Sequence, residues 1–234
     1  MGMIQPQNFQ KMLDETIRRH ASAGERPRLL LHACCAPCSS YVLEYLATYF
    51  RITVFDYNPN ISPASEFEAR TEEILRLVRE MDFPKERPDV LVGKYDPERF
   101  YAAVRGHEND GEGGERCEIC FRLRLTEAAQ AAREGGYDYF TTTLSISPLK
   151  NAALLNRLGA EIAEHYGVPY LYSDFKKRNG YKRSTELSRQ YGLYRQDYCG
   201  CVFSKREREA LRATQCASPS PETSANVEKM RQED

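Results

Sequence analysis

The stretch that decides the fold reads LLLHACCAPCSS over residues 29–40. Its first part is an apolar run with the length of a buried strand, and its second part holds Cys34, Cys35 and Cys38. In an open α/β sheet, ligands bind at the carboxyl ends of the strands, where other folds place a glycine-rich phosphate loop. Thiols at this position indicate a site that holds a metal or carries out redox chemistry.

Strand and helix patterns alternate outward from this stretch. Strands are predicted over 28–33, 51–57, 89–92, 137–143 and 169–172, with helical patterns between them. This order predicts an α/β fold with a Rossmann-like parallel sheet, right-handed crossovers and helices on both faces. The helix after the first strand is predicted over 39–49, with Ser39 or Ser40 as its cap.

The predicted organisation is a single α/β catalytic domain over residues 27–212, preceded by an N-terminal helix within residues 1–26. Its last part, 173–212, is a basic and helical segment, and residues 213–234 have the polar composition of a disordered tail. The chain has no apolar run long enough to span a membrane and no signal-peptide pattern. We therefore expect a cytoplasmic protein without a membrane partner.

The chain contains eight cysteines. Stable disulfides are rare in the cytoplasm, so metal binding or catalysis is the leading explanation for so many thiols. Cys216 stands alone in the polar tail and is expected to have no role. The other seven form three tight groups: Cys34, Cys35 and Cys38; Cys117 and Cys120; and Cys199 and Cys201.

The spacing of Cys117 and Cys120 allows both sulfurs to bind one metal centre. The alternative is a thioredoxin-like redox pair, but such a pair would directly follow an early strand. Together with the vicinal Cys34 and Cys35, this pair supplies four thiolates, which suits either a zinc ion or a [4Fe–4S] cluster. The remaining three thiols imply a second metal with an open position, or a redox pair.

The formal net charge is -1, which argues against a strongly basic nucleic-acid-binding protein. However, the segment from Lys176 to Arg212 contains eleven lysines and arginines against four acidic residues. Such a local excess is the expected footprint of a polyanion-binding face. The alternative is an ordinary solvated helical surface.

Five motifs, taken together and in this order, resemble the cobalamin-independent epoxyqueuosine reductases, the QueH family. The resemblance covers about residues 27–212. The motifs are HACCAPCS at 32–39, YNPNI at 57–61, RCEIC at 116–120, TTTLSISPLK at 141–150 and YCGC at 198–201.

This resemblance implies reductive removal of the epoxide oxygen of epoxyqueuosine in tRNA, which gives queuosine at the wobble position. It implies a nucleotide-hydrolase-like fold related to tRNA-thiolation enzymes, an external electron donor, and the anticodon loop as partner. It further implies that two metal groups are bound, with some members carrying Asp at the position of Cys38. The [4Fe–4S] cluster would be held by Cys34, Cys35, Cys117 and Cys120, and an additional mononuclear iron by Cys38, Cys199 and Cys201.

An enzyme of this kind must also bind RNA and supply a proton. Aromatic and basic side chains interleave ahead of Cys199, including Tyr181, Tyr191 and Tyr194, as expected for contacts to splayed loop bases. The alternative is a tyrosine-rich packing helix with snorkelling cations. The predicted RNA-binding residues are Lys176, Lys177, Arg178, Lys182, Arg183 and Arg195.

The candidate proton donors are His32, Tyr57 and Tyr198, although His32 is equally compatible with a hydrogen-bonded histidine at the end of a buried strand. Asn58 and Asn60 would either bind substrate or hold the turn at Pro59.

Two other functions remain open at this stage. One is an iron–sulfur tRNA-thiolation-like enzyme, and the other is a zinc-stapled RNA-binding protein. No ATP-pyrophosphatase loop follows the first strand, which argues against the thiolation enzyme.

Overall fold

Four parallel strands form the sheet of this protein. The structure is a computed structural model that describes residues 7–217, except the side chains of residues 215–217. The strands are β1 (Arg28–His32), β2 (Arg51–Asp56), β3 (Asp89–Val92) and β4 (Tyr139–Thr142). They pair in parallel in the order β3-β2-β1-β4. The predicted α/β fold with a Rossmann-like parallel sheet is therefore confirmed.

Helices connect and follow these strands. None of the helices within residues 7–217 is both long and apolar enough to cross a membrane. The helices are α1 (Phe9–Ser22), α2 (Ala36–Leu46), α3 (Ala64–Glu80), α4 (Pro97–Ala103), α5 (Glu115–Glu134), α6 (Ala152–Tyr166), α7 (Gly180–Gln190) and α8 (Val202–Ala217).

Both faces of the sheet are covered, as the alternation predicts. Leu29 and Leu31 of β1 belong to the apolar core that contains the buried side chains of α1, α2 and α3. Leu30 belongs to the opposite core, with buried side chains of α5 and α6. Successive strand residues point to opposite faces, so this continuous apolar run serves two cores at once.

The predicted strand at 169–172 is wrong. Only a single parallel bridge joins Tyr170 to Phe140 of β4. The next backbone groups of this segment bind a side chain instead. Ser173 N–H donates to Asn156 Oδ1 at 2.9 Å, and Asn156 Nδ2 donates to the Ser173 carbonyl at 2.8 Å. The Leu171 carbonyl also accepts from a side chain, Thr141 Oγ1, at 2.8 Å, so side chains take the backbone groups that follow the bridge.

The helix after β1 begins earlier than predicted, and neither Ser39 nor Ser40 is its cap. Cys35 occupies the N-cap position in an extended conformation, and α2 starts at Ala36. Pro37 fits in the first turn, where a missing N–H costs no intrahelical bond, and Ser39 Oγ donates to the Cys35 carbonyl at 2.8 Å. The earlier start places Cys38 in the first turn of α2.

The last helix extends beyond residue 212, the predicted end of the basic helical segment. It continues to Ala217, so the predicted tail, residues 213–234, begins inside this helix. Residues 218–234 of that tail lie outside the described residues.

Candidate functional site

Three thiols converge where β1 meets α2, and we call them the β1–α2 thiols: Cys34, Cys35 and Cys38. Their sulfur atoms all lie within 4.8 Å of one another, and the Sγ atoms of Cys34 and Cys35 are 3.8 Å apart. The strand ends at His32 and the helix begins at Ala36, so the connection is too short to carry these thiols apart. They lie close enough together to bind one metal centre.

Cys34 is the thiol of this group that most readily ionises. Hydrogen bonds from the thiols of Cys35 and Cys38 hold its pKa well below the usual value, and Thr143 assists. The same contacts raise the pKa of Cys38. The hydroxyl of Thr143 donates to Cys34 Sγ at 3.5 Å. Because a thiolate is the form that binds metal, Cys34 is prepared for that role.

The other four thiols come from separate parts of the chain, and we call them the α5–α8 thiols: Cys117, Cys120, Cys199 and Cys201. Cys117 and Cys120 lie three residues apart at the start of α5 and so share one helix face. Cys199 and Cys201 flank Gly200 just before α8. All four line one small cavity together with Asn60. Burial raises the pKa of Cys120 to about 12 and that of Cys201 to about 11.

Hydrogen-bond donors face three of these four sulfurs. The Gly113 backbone N–H donates to Cys117 at 3.3 Å, and the Ser204 backbone N–H donates to Cys201 at 3.4 Å. Lys150 Nζ lies 3.4 Å from the sulfur of Cys199. Donors of this kind favour the ionised, metal-binding form of a thiol.

A large open cavity of about 620 Å³ adjoins both groups. Its wall contains all three β1–α2 thiols and also Cys199, which thereby faces both cavities. A volume of this size matches the pockets that hold small ligands. Its charged lining has more cations than anions, and it consists of Arg70, Arg124, Lys150, Arg195, Arg208, Glu112, Asp197 and Glu207.

The predicted division of the thiols between two metals stays a prediction. The structure places Cys38 beside Cys34 and Cys35, whereas the resemblance pairs it with Cys199 and Cys201. Cys199 lines both cavities and therefore lies between the two groups. The side chain of Cys216 lies outside the described residues.

The thiol sites suit a soft metal centre. Seven cysteine sulfurs line the two adjoining cavities, and such a donor set is typical of iron–sulfur clusters, iron or zinc. A hard ion such as Mg²⁺ would require oxygen ligands instead.

His32 is fully buried and bonded on both sides of its ring. Its Nδ1 lies 2.8 Å from Thr142 Oγ1, and its Nε2 lies 3.1 Å from the Tyr57 carbonyl. A carbonyl only accepts, so Nε2 carries the hydrogen and the Thr142 hydroxyl donates to Nδ1. Burial, followed by the charge of Arg124, lowers the pKa of His32 to about 3. These contacts favour the alternative of a structural histidine.

The two candidate tyrosines lie in different places. Tyr57 accepts from Arg99 at 3.2 Å and is not among the residues that line the large cavity. Tyr198 does line that cavity, and the Arg70 guanidinium lies 5.3 Å from the centre of its ring. Of the three candidate proton donors, Tyr198 is therefore the one with access to a ligand.

The two asparagines after β2 also separate. Asn58 Nδ2 donates to the Ala33 carbonyl at 2.8 Å, and its Oδ1 accepts from Arg124, so this side chain holds the β1 and β2 ends together. Asn60 lines the small cavity, and its buried Oδ1 accepts no hydrogen bond from the described residues.

Half of the predicted RNA-binding cations already serve the fold. Lys176 Nζ donates to the Ser145 carbonyl at 2.9 Å, Arg178 pairs with Asp14 at 2.7 Å, and Arg183 pairs with Glu44 at 2.6 Å.

The other three predicted cations are available to a ligand. Lys177 and Lys182 are exposed and pair with no carboxylate within residues 7–217. Arg195 lines the large cavity, and its guanidinium lies 5.9 Å from the ring of Tyr181.

Buried cations are a part of the site outside the two thiol groups, and one of them, Lys150, is the last residue of the TTTLSISPLK motif. Arg70, Arg124 and Lys150 line the large cavity. The sequence also points to Arg124, because this residue follows Cys120 by four residues and Cys117 by seven. That helical spacing puts Arg124 on the same face of α5 as both thiols.

Comparisons with known proteins place this chain in a family. Residues 29–207 match the family model described as "Epoxyqueuosine reductase QueH". Proteins of that name are similar to this chain over most of its length. The relative from Staphylococcus epidermidis is 44% identical, with 84% of this chain and 84% of the relative covered. The relative from Streptococcus pyogenes serotype M1 is 41% identical over 88% and 81% of the two chains, and that from Thermotoga maritima 39% identical over 79% and 94%.

Proposed function

The chain belongs to the epoxyqueuosine reductase QueH family, and on that premise we propose that it is an oxidoreductase that converts epoxyqueuosine in tRNA to queuosine. One observation supports this most directly: three converging thiols and Cys199 line a cation-rich cavity large enough for a nucleotide. In the reaction both C–O bonds of the epoxide break and a carbon–carbon double bond forms. The oxygen leaves as water, which consumes two electrons and two protons.

The thiols are the proposed metal ligands. We assign Cys34, Cys35, Cys117 and Cys120 to a [4Fe–4S] cluster and Cys38, Cys199 and Cys201 to an additional iron. When bound, these groups supply single electrons from an external donor and a Lewis-acid position for the epoxide oxygen. The seven cysteine sulfurs in the lining of the two cavities support thiolate ligation of both groups.

The chain's own side chains bind the nucleotide and provide a proton. Arg195 and the half-exposed ring of Tyr181 flank the cavity, and planar groups of this kind stack on unpaired bases. Tyr198 presents a phenolic O–H to the same cavity. At neutral pH this hydroxyl keeps its proton, so we propose that Tyr198 Oη donates one of the two protons.

The activity test uses anaerobically prepared protein, dithionite as the electron donor, and tRNA that carries epoxyqueuosine. Mass spectrometry of the digested nucleosides should show the loss of one oxygen atom. Cys199→Ala should abolish this conversion, whereas Cys216→Ala, a change outside the three thiol groups, should preserve it. A colourless, zinc-containing protein that leaves the nucleoside unchanged would contradict the proposal, as would full activity of Cys199→Ala.

The proposed RNA contacts have a separate test. Reversing the charge of the two exposed lysines, in the double variant Lys177→Glu and Lys182→Glu, should weaken tRNA binding. It should also reduce the slope of log affinity against log salt by about two, roughly one for each lost phosphate contact. Lys85→Glu is the control, because Lys85 is exposed and precedes β3 at the amino edge of the sheet. Equal salt slopes for both variants would exclude this face as the RNA contact.

A further inference from the structure

Four cations lie buried beside the seven thiols: Arg70, Arg116, Arg124 and Lys150. A buried charge is costly unless an opposite charge balances it. Three of the four have a carboxylate partner: Arg70 with Glu66 at 2.7 Å, Arg116 with Glu207 at 2.7 Å, and Lys150 with Glu112 at 3.6 Å.

Arg124 is the exception. It is 1% exposed and forms no ion pair with any carboxylate within residues 7–217. Its Nε donates to the Cys120 carbonyl at 3.4 Å, and one terminal nitrogen donates to Asn58 Oδ1 at 3.2 Å. The other terminal nitrogen is buried and has no partner among the described residues. A full positive charge therefore lies in the core with only neutral acceptors bonded to it.

The groups that can balance this charge are the thiols around it. Arg124 lies on the same face of α5 as Cys117 and Cys120, and it lines the large cavity together with all three β1–α2 thiols and Cys199. Each of these thiols carries a negative charge once it binds metal. The guanidinium is permanently charged, so thiolates or a metal–thiolate centre facing it would balance its charge.

We propose that Arg124 is a positioning residue that supplies the counter-charge of both thiol groups, so that it strengthens metal binding and makes the bound centre easier to reduce. The proposed effect of Arg124 on metal binding requires only that the thiols bind a metal, whatever reaction the protein catalyses. The part on reduction rests on the proposed function, because it concerns the iron–sulfur centre of a reductase.

The first test measures the affinity of the thiols for Co²⁺, whose thiolate complexes absorb in the visible range. Arg124→Met removes the charge and should weaken Co²⁺ binding by about 10- to 100-fold, the usual effect of losing an outer-shell partner. Arg124→Lys keeps the charge and should stay within about threefold of the unchanged protein. The control is Arg122→Met, on the exposed face of the same helix, where Arg122 pairs with Glu161. This control should bind Co²⁺ as the unchanged protein does.

The second test measures the midpoint potential after anaerobic loading with iron and sulfide. Loss of the positive charge should make the potential of Arg124→Met more negative, while Arg124→Lys should lie near the unchanged protein. Circular dichroism checks folding. Arg124→Gln, which retains an amide for Asn58, replaces Arg124→Met if that variant is unfolded. Unchanged Co²⁺ affinity in a folded, uncharged variant would overturn the role of Arg124. Normal Co²⁺ effects in a protein that does not reduce epoxyqueuosine would instead disprove the proposed function.

Discussion

The two thiol groups reach two adjoining cavities by different routes. The β1–α2 thiols lie within five residues of sequence and converge because a strand ends and a helix starts between them. The α5–α8 thiols come from a helix and from a loop about eighty residues later, so the whole fold must form before they meet. The comparison teaches that one half of the site is local and the other half depends on tertiary packing.

The largest effects are expected from removing single β1–α2 thiols, because the proposal assigns Cys34 to the cluster and Cys38 to the additional iron. Cys34→Ala should remove the visible absorption of the cluster and reduce activity by at least about 100-fold. Cys38→Ala should reduce activity as strongly, but it should keep the cluster absorption and sulfide content and lose one iron atom. Iron and sulfide assays on both variants provide the measurement. Loss of the cluster from Cys38→Ala would show that the three neighbouring thiols act as one ligand set.

A smaller effect tests the part that depends on tertiary packing. Gly200 has φ +116°, and an added Cβ would lie 2.9 Å from Ile61 Cγ1 and 3.0 Å from a terminal nitrogen of Arg70. Gly200→Ala should therefore lower the free energy of unfolding by about 1–3 kcal/mol and reduce the iron bound beside Cys199.

Gly192→Ala is the matched control for this variant. Gly192 has φ +55°, but no atom lies within 4 Å of an added Cβ. In urea unfolding, Gly192→Ala should lower the free energy of unfolding by less than Gly200→Ala does. It should also keep its full iron content. Equal iron loss in both variants would mean that backbone strain, rather than the clash beside the thiols, is responsible.

The smallest effect concerns His32, which lies at the end of β1 just before the β1–α2 thiols. The pKa of His32 falls from 6.5 to about 3 on folding, so the unfolded chain binds a proton that the folded protein does not. His32 stabilises the fold fully above pH 6.5, and this contribution is lost as the pH falls toward 3. Lowering the pH from 7 to 5 should therefore reduce the free energy of unfolding by about 2 kcal/mol through His32.

Urea unfolding of the metal-free protein at the two pH values measures this loss. His32→Asn should remove that part of the pH dependence, whereas the exposed His165→Asn should retain it. The same pH dependence in both variants would mean that His32 does not stay neutral in the fold.

Much of the fold follows from local patterns. The predicted strand Asp89–Val92 agrees with β3, and α6 lies between the last two predicted strands, with Asn151 as its cap. The patterns fail where a side chain at a distance decides the backbone. Thr141 binds the Leu171 carbonyl and Asn156 binds the backbone of Ser173, in place of a fifth strand, and no local pattern near Tyr172 records these contacts.

The site likewise has one part that local sequence patterns predict and another that they do not. The spacing of the cysteines indicates their chemistry, because short spacings force neighbouring sulfurs together. The balance of charge is not visible in the motifs. Within residues 7–217, Arg124 lacks a carboxylate partner while Arg70 and Arg116 have one, and only the packed structure distinguishes these arginines.

Because α2 starts early, the two residues between Cys35 and Cys38 lie in its first turn. Their number therefore fixes the direction in which the Cys38 side chain points from the helix. In a helix each residue adds about 100° of rotation, so one inserted residue would turn Cys38 away from its neighbours without disturbing the sheet. The loop at 106–114, by contrast, lies ahead of both thiols of α5, and a change in its length leaves their mutual orientation intact. Tolerance to insertions should therefore differ sharply between the first turn of α2 and the loop at 106–114, and a library of single-residue insertions would reveal that difference without any knowledge of the metal.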